Sequence, residues 1–220
     1  MPSQTLATKL APPDAEQQKA QATEPWLFPV FFLSGSAALV YQVVWQRALY
    51  AIYGVDILSA TIVVTAFMLG LGLGSLAGGA LSRRHPRAAV TLFAIAELGI
   101  GLYGALSLRL FALIAGVTHG IGHVAAGGVA FLLVVLPVML MGATLPLLVG
   151  HATSRSQNVG RSLGNLYFAN TLGAAFGAFL AARYLLGGLG LRATTEVAAT
   201  LNVLLGVLVM ALRRRRRGEP

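Results

Sequence analysis

A few polar side chains interrupt stretches of this chain that are apolar enough to enter a lipid bilayer. Glu97, Asn170 and Asn202 each lie within a long run of apolar and small residues. At about 1.5 Å per helical residue, all three reach a similar depth from the basic ends of their runs. Such groups usually face the interior of a helix bundle. The sequence leaves two roles open for Glu97, namely substrate or proton handling and helix packing, and it favours packing for the two asparagines.

The segment YQVVWQR carries a second polar set. Tyr41 and Trp45 are four residues apart and therefore share one face of a helix. We place Tyr41 and the neighbouring Gln42 with the polar interior. Trp45 and Arg47 are expected at the outer membrane interface, as an aromatic belt with an arginine that reaches outward and pairs with Asp56. No catalytic residue is predicted.

Metal, thiol and nucleotide chemistry find little support in the sequence. His119 and His123 have the spacing of two metal ligands on a helix, but no third ligand follows nearby, so we predict no metal site. Cysteine is absent. The run GLGLGSLAGG lies inside an apolar segment and lacks the preceding strand of a nucleotide-binding loop. We therefore expect no cofactor.

Composition indicates a membrane protein. Of 220 residues, 56% are hydrophobic and 10% are charged, whereas about a quarter of the residues are charged in soluble domains. The net charge of +9 lies largely in arginine clusters between or after apolar runs. No folded recognition element accompanies these clusters, so we predict a lipid bilayer as the surroundings and no binding to nucleic acid.

The apolar runs predict an all-α polytopic fold, because a crossing needs about 20 residues. Residues 1–25 are expected to form a disordered cytoplasmic leader, residues 26–212 a transmembrane domain and residues 213–220 a basic cytoplasmic tail. Residues 109–124 are left open between a loop, an interfacial helix and the start of the fourth crossing. The six predicted transmembrane helices are 26–49, 57–81, 88–108, 125–149, 161–185 and 193–212.

The arginines predict the orientation, since lysine and arginine are enriched in cytoplasmic loops. Arg83, Arg84 and Arg87 fall between the second and third helices, and residues 213–217 follow the sixth. With six crossings these sites lie on one side. We therefore expect both termini in the cytoplasm and the chain in the inner membrane.

Small residues recur every four positions in two of the predicted helices. Helix two carries Gly70, Gly74 and Gly78, and helix five carries Gly173 and Gly177. Such a series lets another helix approach closely. Because each is the second helix of its half, the pattern suggests an inverted repeat of three plus three helices, as in one half of a major-facilitator transporter.

Four stretches together resemble the membrane domain of the spermidine-synthase-like integral membrane proteins. They are FFLSGSAALVYQVVWQRAL, AFMLGLGLGSLAGGALSRR, AELGIGLYGAL and LGNLYFANTLGAAFGAFLAARYLLGGLGLR. The resemblance covers about residues 27 to 210 and implies a six-helix, major-facilitator-like domain. In that family this domain is usually fused to a cytosolic aminopropyltransferase-like domain. The family commonly has Glu at the position of Gln42, and its glycine-rich nucleotide loop and catalytic carboxylates have no counterpart here.

These features lead to three expectations of function. The first is a membrane subunit, not an enzyme by itself, that docks a separate aminopropyltransferase-like protein or handles its cationic substrate or product. The second is a half-transporter for a small cationic metabolite that works as a homodimer. The third is a structural subunit of a larger membrane complex.

Overall fold

The computed structural model describes residues 25–53, 56–117, 123–153 and 159–218, and all regular elements within these ranges are helical. The predicted leader therefore lies outside the described residues, except for Pro25. A 3₁₀ turn, Pro86–Ala88, precedes α3, and a π-helical segment, Ala181–Leu185, joins α5 to α6. The α-helices are α1 (Leu27–Tyr53), α2 (Asp56–Arg84), α3 (Ala89–Val117), α4 (His123–Thr153), α5 (Val159–Leu180) and α6 (Leu186–Gly218).

Several helices extend beyond their predicted ends. The third was predicted to end at residue 108, but α3 continues to Val117. The segment after Arg109 is mostly leucine, alanine, isoleucine and phenylalanine, which favour helix, and its first glycine is Gly116. A loop is therefore wrong for residues 109–117, whereas residues 118–122 lie outside the described ranges. At the other end of the chain, α6 begins at Leu186 and runs through the predicted tail to Gly218.

Five stretches of the described chain are long and apolar enough to cross a membrane. The last of them, Leu163–Arg215, has 53 residues. As one straight helix it would measure roughly 80 Å, far more than the about 30 Å of a hydrocarbon core. It is interrupted at Gly190, whose φ of 76° and ψ of 177° are not helical. The five stretches are Leu27–Ile52, Ser59–Arg84, Pro86–Val117, Ala125–Ala152 and Leu163–Arg215.

Contacts between helices give their relative directions. α1 and α3 run parallel, because Phe31 stacks on Phe93 and Trp45 bonds to Ser107 farther along both helices. α1 and α5 are also parallel, since the Cβ positions of Gly173 and Gly177 contact Phe32 and Ser36 in the same order.

α3 and α6 run in opposite directions. The guanidinium of Arg213 donates to the carbonyl of Arg87 at 2.7 Å, and the amide of Asn202 donates to Glu97. From Arg87 to Glu97 the residue number rises, whereas it falls from Arg213 to Asn202. Because α5 is parallel to α1 and α3, the chain reverses its direction between α5 and the part of α6 that follows Gly190. Gly190, with its positive φ, lies in the segment that makes this reversal.

The core of the bundle surrounds α1. One buried cluster gathers around Trp45, and a second around Phe31 and Phe93. Many large apolar side chains point outward instead, including Ile57 (82% exposed) and Leu76 (73% exposed). An exterior this apolar suits lipid as the surrounding medium.

Candidate functional site

Three helices meet at a buried carboxylate. Glu97 of α3 is completely enclosed. One of its oxygens, Oε1, accepts a hydrogen bond from Ser34 Oγ of α1 at 2.6 Å. The other, Oε2, accepts one from Asn202 Nδ2 of α6, also at 2.6 Å. We call Glu97, Ser34 and Asn202 the polar node. Each carboxylate oxygen thus fastens α3 to a different helix.

Asn170 lies beside the polar node without joining its hydrogen bonds. Its backbone carbonyl and side-chain Oδ1 lie against Gly35 of α1, the residue that follows Ser34. A Cβ atom at Gly35 would stand 2.6 Å from Asn170 Oδ1, so a larger residue would push α5 away. The structure therefore brings Glu97, Asn202 and Asn170 to one level, and Asn170 serves the contact between α5 and α1.

Three buried side-chain oxygens have no hydrogen-bond partner among the described residues. They are Asn202 Oδ1, Thr91 Oγ1 and the hydroxyl of Tyr41, which lies against Gly104. A rotation of the Asn202 amide by 180° would turn Oδ1 toward the carboxyl group. In that orientation Asn202 could accept a hydrogen bond from a protonated Glu97. The node can thus accommodate a charged or a neutral carboxyl, but its complete enclosure leaves Glu97 out of contact with a ligand in this conformation.

The aromatic-belt interpretation is wrong for Trp45. Its side chain is completely buried, and its indole Nε1 donates to Ser107 Oγ of α3 at 3.0 Å. Tyr41 stacks on it at a centroid distance of 5.1 Å, and Phe67 and Phe111 surround it. The indole of Trp45 lies inside the bundle because the bundle supplies both an apolar pocket and an acceptor for its N–H group.

Arg47 and Gln42 lie on the more open side of α1. Arg47 is exposed and Gln42 is half-buried. A crevice of about 460 Å³ is lined by Arg47, Gln46 and Tyr50. Gln42 therefore lies outside the polar node, although on the same helix. The side chain of Asp56 falls outside the described residues, so its pairing with Arg47 stays a prediction.

The predicted glycine faces lie at the closest helix contacts. Gly70, Gly74 and Gly78 of α2 face the α4 residues Val138, Met139 and Ala143. Gly173 and Gly177 of α5 face the backbone of α1 at Phe32 and Ser36. At these positions a Cβ would collide mainly with backbone atoms, so the helices can approach only where the residue is glycine.

Sequence reasoning missed the hydroxyl groups that complete these contacts. Ser34 closes the polar node, and Ser36 donates to the carbonyl of Gly173 at 2.8 Å across the α1–α5 contact. The signal was present as the tripeptide SGS inside an apolar run. Small hydroxyl residues there commonly bond across helices.

Tyr103 was missed as well. Pro137 lacks an N–H group, which frees the carbonyl four residues earlier, at Leu133. The Tyr103 hydroxyl donates to this carbonyl at 2.6 Å. Since Tyr103 lies on α3 and Leu133 on α4, the proline break creates an attachment point for a neighbouring helix.

Within the described ranges, no group of three histidine, cysteine or carboxylate residues could hold a metal ion. His119 and the side chain of His123 fall outside those ranges.

Two curated proteins from Streptomyces coelicolor (strain ATCC BAA-471 / A3(2) / M145) are similar to this chain. Polyamine aminopropyltransferase 2 is 29% identical over 189 residues, and polyamine aminopropyltransferase 1 is 28% identical over 188 residues. Each alignment covers 84% of this chain and 33% of the relative. The chain thus spans about a third of the length of the curated relatives it matches. This similarity is consistent with a relation to the spermidine-synthase-like proteins.

No family model matches the chain. No solved structure matches it either.

Proposed function

We propose that this chain forms the membrane-embedded domain of a polyamine aminopropyltransferase-type system and docks an aminopropyltransferase-like enzyme at its basic end. One observation carries the proposal: nearly the whole chain aligns with a third of two polyamine aminopropyltransferases. The described part of this chain consists mostly of long apolar helices. Aminopropyl transfer then takes place on the docked enzyme, because Glu97 is sealed inside the bundle.

The proposed domain crosses the membrane six times. The reversal between α5 and α6 supports this count, because it divides the 53-residue stretch into two passes of opposite direction. Leu191 to Arg213, after the break at Gly190, is long enough for one pass at about 20 residues per crossing. Alternation of the remaining helices supports the same count: α1, α3 and α5 run one way, and α6 runs against α3.

An inverted three-plus-three repeat is supported by paired contacts. The Gly35–Asn170 contact between α1 and α5 has a counterpart at Gly142–Leu71, between α4 and α2. The same shifts along the chain, 107 positions from 35 to 142 and 99 positions from 71 to 170, relate two further contacts between these helices. They take Phe32–Gly173 to Met139–Gly74 and Ser36–Gly177 to Ala143–Gly78.

The contact between α3 and α6 shows the same symmetry, because one shift along the chain exchanges its two sides. Gly101 of α3 faces Ala199 and Val203, whereas Gly206 of α6 faces Ala94 and Leu98. One shift of 105 positions, as from 101 to 206, exchanges these two sets. It also exchanges Glu97 with Asn202, so the polar node lies where the two proposed halves meet.

The basic end is the proposed docking side. Arg83 and Arg84 end α2, Arg87 follows in the 3₁₀ turn, and Arg213 contacts Arg87 from α6. Among the side chains that the structure describes, no carboxylate lies at this end. By the bias of arginine toward cytoplasmic loops, we propose that it faces the cytoplasm of a cell with the bundle in the inner membrane.

Mild extraction of the chain from its native membrane, followed by mass spectrometry and an aminopropyltransferase assay, tests this proposal. We expect an aminopropyltransferase-like protein to be recovered with the chain. The double variant Arg84→Glu with Arg87→Glu should lose it, because the docking surface becomes partly negative. Arg183→Glu, on an exposed arginine near the opposite end, should retain it. Recovery of the chain without such an enzyme, or equal loss from both variants, would reject the docking role.

A second candidate is a half-transporter for a small cation, and the paired contacts favour it specifically. Inverted repeats are typical of transporter halves, and one half supplies only one side of an alternating-access cleft. A homodimer would supply the other side. Cross-linking in native membranes should then trap dimers, and Glu97→Gln should abolish polyamine uptake while the protein stays folded. Unchanged uptake by that variant would remove Glu97 from this mechanism.

A further inference from the structure

A charged crevice lies between α3 and α6, at the end of the bundle away from Arg87 and Arg213. Its volume is about 310 Å³. Arg109 of α3 and Arg192 and Glu196 of α6 provide its charged groups. Leu108 and Ala112 provide apolar walls. The crevice is separate from the polar node, which is buried toward the middle of the same two helices.

The two arginines of the crevice differ in their hydrogen-bond and ion-pair partners. Arg192 Nε donates to Glu196 Oε1 at 3.0 Å, with both side chains largely exposed, at 77% and 56%. An ion pair this open is weak and easily exchanged. Arg109 has neither a hydrogen bond nor an ion pair to any residue in the described ranges. The crevice therefore holds two guanidinium groups against one carboxylate.

Apolar side chains lead from the crevice toward the middle of the bundle. Leu106 and Leu102 lie on the same face of α3 as Arg109, one and two turns deeper, and they are 43% and 64% exposed. Leu113, on the same face beyond Arg109, is 67% exposed. A molecule seated in the crevice would thus contact charged groups at one end and an open apolar surface at the other.

We propose that this crevice binds the headgroup of a zwitterionic phospholipid of the phosphatidylethanolamine type. The phosphate would accept hydrogen bonds from Arg109 and Arg192, because guanidinium groups fit phosphate oxygens well. The ammonium group would pair with Glu196, and the acyl chains would lie along Leu102 and Leu106. A new helical part of α6 begins after the non-helical Gly190, so Arg192 lies in its first turn. The positive end of the dipole of this part adds to the attraction for phosphate.

The charge pattern discriminates against other occupants. A polyamine would place ammonium groups beside two arginines, which costs binding energy. An anionic lipid such as phosphatidylglycerol would leave Glu196 facing a ligand without a positive charge. A free headgroup would make the charged contacts alone and leave the exposed leucines without a partner.

Native mass spectrometry of the full chain in detergent, with added lipid, tests the proposal. We expect the wild-type chain to retain phosphatidylethanolamine in preference to phosphatidylglycerol. Arg109→Gln should lower the retained phosphatidylethanolamine about tenfold, since hydrogen bonds to a charged group are lost. Glu196→Gln should also weaken the binding of phosphatidylethanolamine, whereas the binding of phosphatidylglycerol should stay the same or become stronger.

Arg183→Gln is the matched control, because Arg183 is an exposed arginine at a similar level in the π-helical segment after α5, outside the crevice. It should bind lipid as the wild type does. Circular dichroism would confirm that Arg109→Gln is folded, and Arg192→Gln gives a second test at the same site. Equal losses from Arg109→Gln and Arg183→Gln, or no preference for phosphatidylethanolamine in the wild type, would overturn the proposal. Displacement of the lipid by soluble glycerophosphoethanolamine at equal concentration would overturn the assignment to a lipid.

Discussion

Glu97 fastens three helices because its two oxygens accept hydrogen bonds from different partners, Ser34 on α1 and Asn202 on α6. A carboxylate costs free energy inside a bilayer unless such partners compensate for the lost water. The same two bonds that satisfy Glu97 also fix the distances between α3 and its neighbours. At this scale, the chemistry of one side chain determines how three helices meet.

Two substitutions at Glu97 should behave differently. Glu97→Ala leaves Ser34 and Asn202 without their acceptor and opens a cavity, so we expect a loss of about 2–4 kcal/mol in stability. Glu97→Gln preserves the shape, and rotation of the Asn202 amide lets its Oδ1 accept from the new amide, so stability should be nearly unchanged. Thermal unfolding in detergent measures both. If Gln destabilised the chain as much as Ala, the node would require a charge.

Tyr103 and Pro137 should be energetically coupled. Tyr103→Phe leaves the freed carbonyl of Leu133 unpaired, and we expect a cost of about 1–2 kcal/mol. Pro137→Ala restores the N–H group that bonds this carbonyl within α4. In that background Tyr103→Phe should cost much less. A double-mutant cycle measured by thermal unfolding checks this, and additive effects of the two changes would show that the tyrosine serves another purpose.

Pairs of helices in this bundle meet along glycine faces. α2 packs closely on α4 through Gly70, Gly74 and Gly78, and α5 packs closely on α1 through Gly173 and Gly177. Close van der Waals contact and hydrogen bonds such as that from Ser36 to the carbonyl of Gly173 stabilise these pairs, as is typical of helices that pack in a bilayer. The glycine spacing therefore acts at the level of the element: it selects the face and the distance of approach.

Neighbouring glycines on α2 provide a test of this role. Gly74 would direct a Cβ into the backbone of α4 at Met139, whereas Gly72 faces open space. Gly74→Leu should separate α2 from α4 and cost about 3 kcal/mol or more, whereas Gly72→Leu should be nearly neutral. The recovered folded fraction on size-exclusion chromatography compares them. Equal behaviour of the two variants would contradict the assignment of the packing face.

For the whole molecule, the direction in which each helix runs determines the topology. α5 runs parallel to α1, and α6 runs against α3, so the last apolar stretch turns back on itself around Gly190. The proposed six crossings then place the start of α5 and the end of α6 on one side of the membrane. With six crossings, the basic end and the charged crevice would lie on opposite sides of the membrane.

Single cysteines can report this topology, because the natural chain has none. Gly164→Cys and Arg214→Cys should react with an impermeant maleimide from the same side, and Arg192→Cys from the other. Intact and inverted membrane vesicles distinguish the sides. If Gly164→Cys and Arg214→Cys reacted from opposite sides, the 53-residue stretch would cross only once.

The sequence determined the helical content and most helix positions, because long apolar runs require internally bonded backbone in lipid. It also identified the glycine faces and the level of Glu97, Asn170 and Asn202, since helical spacing is a local property. It misjudged Trp45, whose partner Ser107 is 62 positions away. The end of α3 was predicted too early, since no proline or glycine interrupts residues 109–115, and α6 starts earlier and ends later than predicted.

Only the tertiary structure decided which polar groups meet. Ser34 reaches Glu97 across 63 positions, and Asn202 reaches it across 105. Such pairs depend on the order in which helices surround α1 and on their rotation about their own axes. These are set by packing among all the helices together, whereas the pattern within one helix specifies only its own faces. The sequence by itself therefore determined the helices, their apolar composition and their packing faces, and the fold decided the polar node, the reversal at Gly190 and the charged crevice.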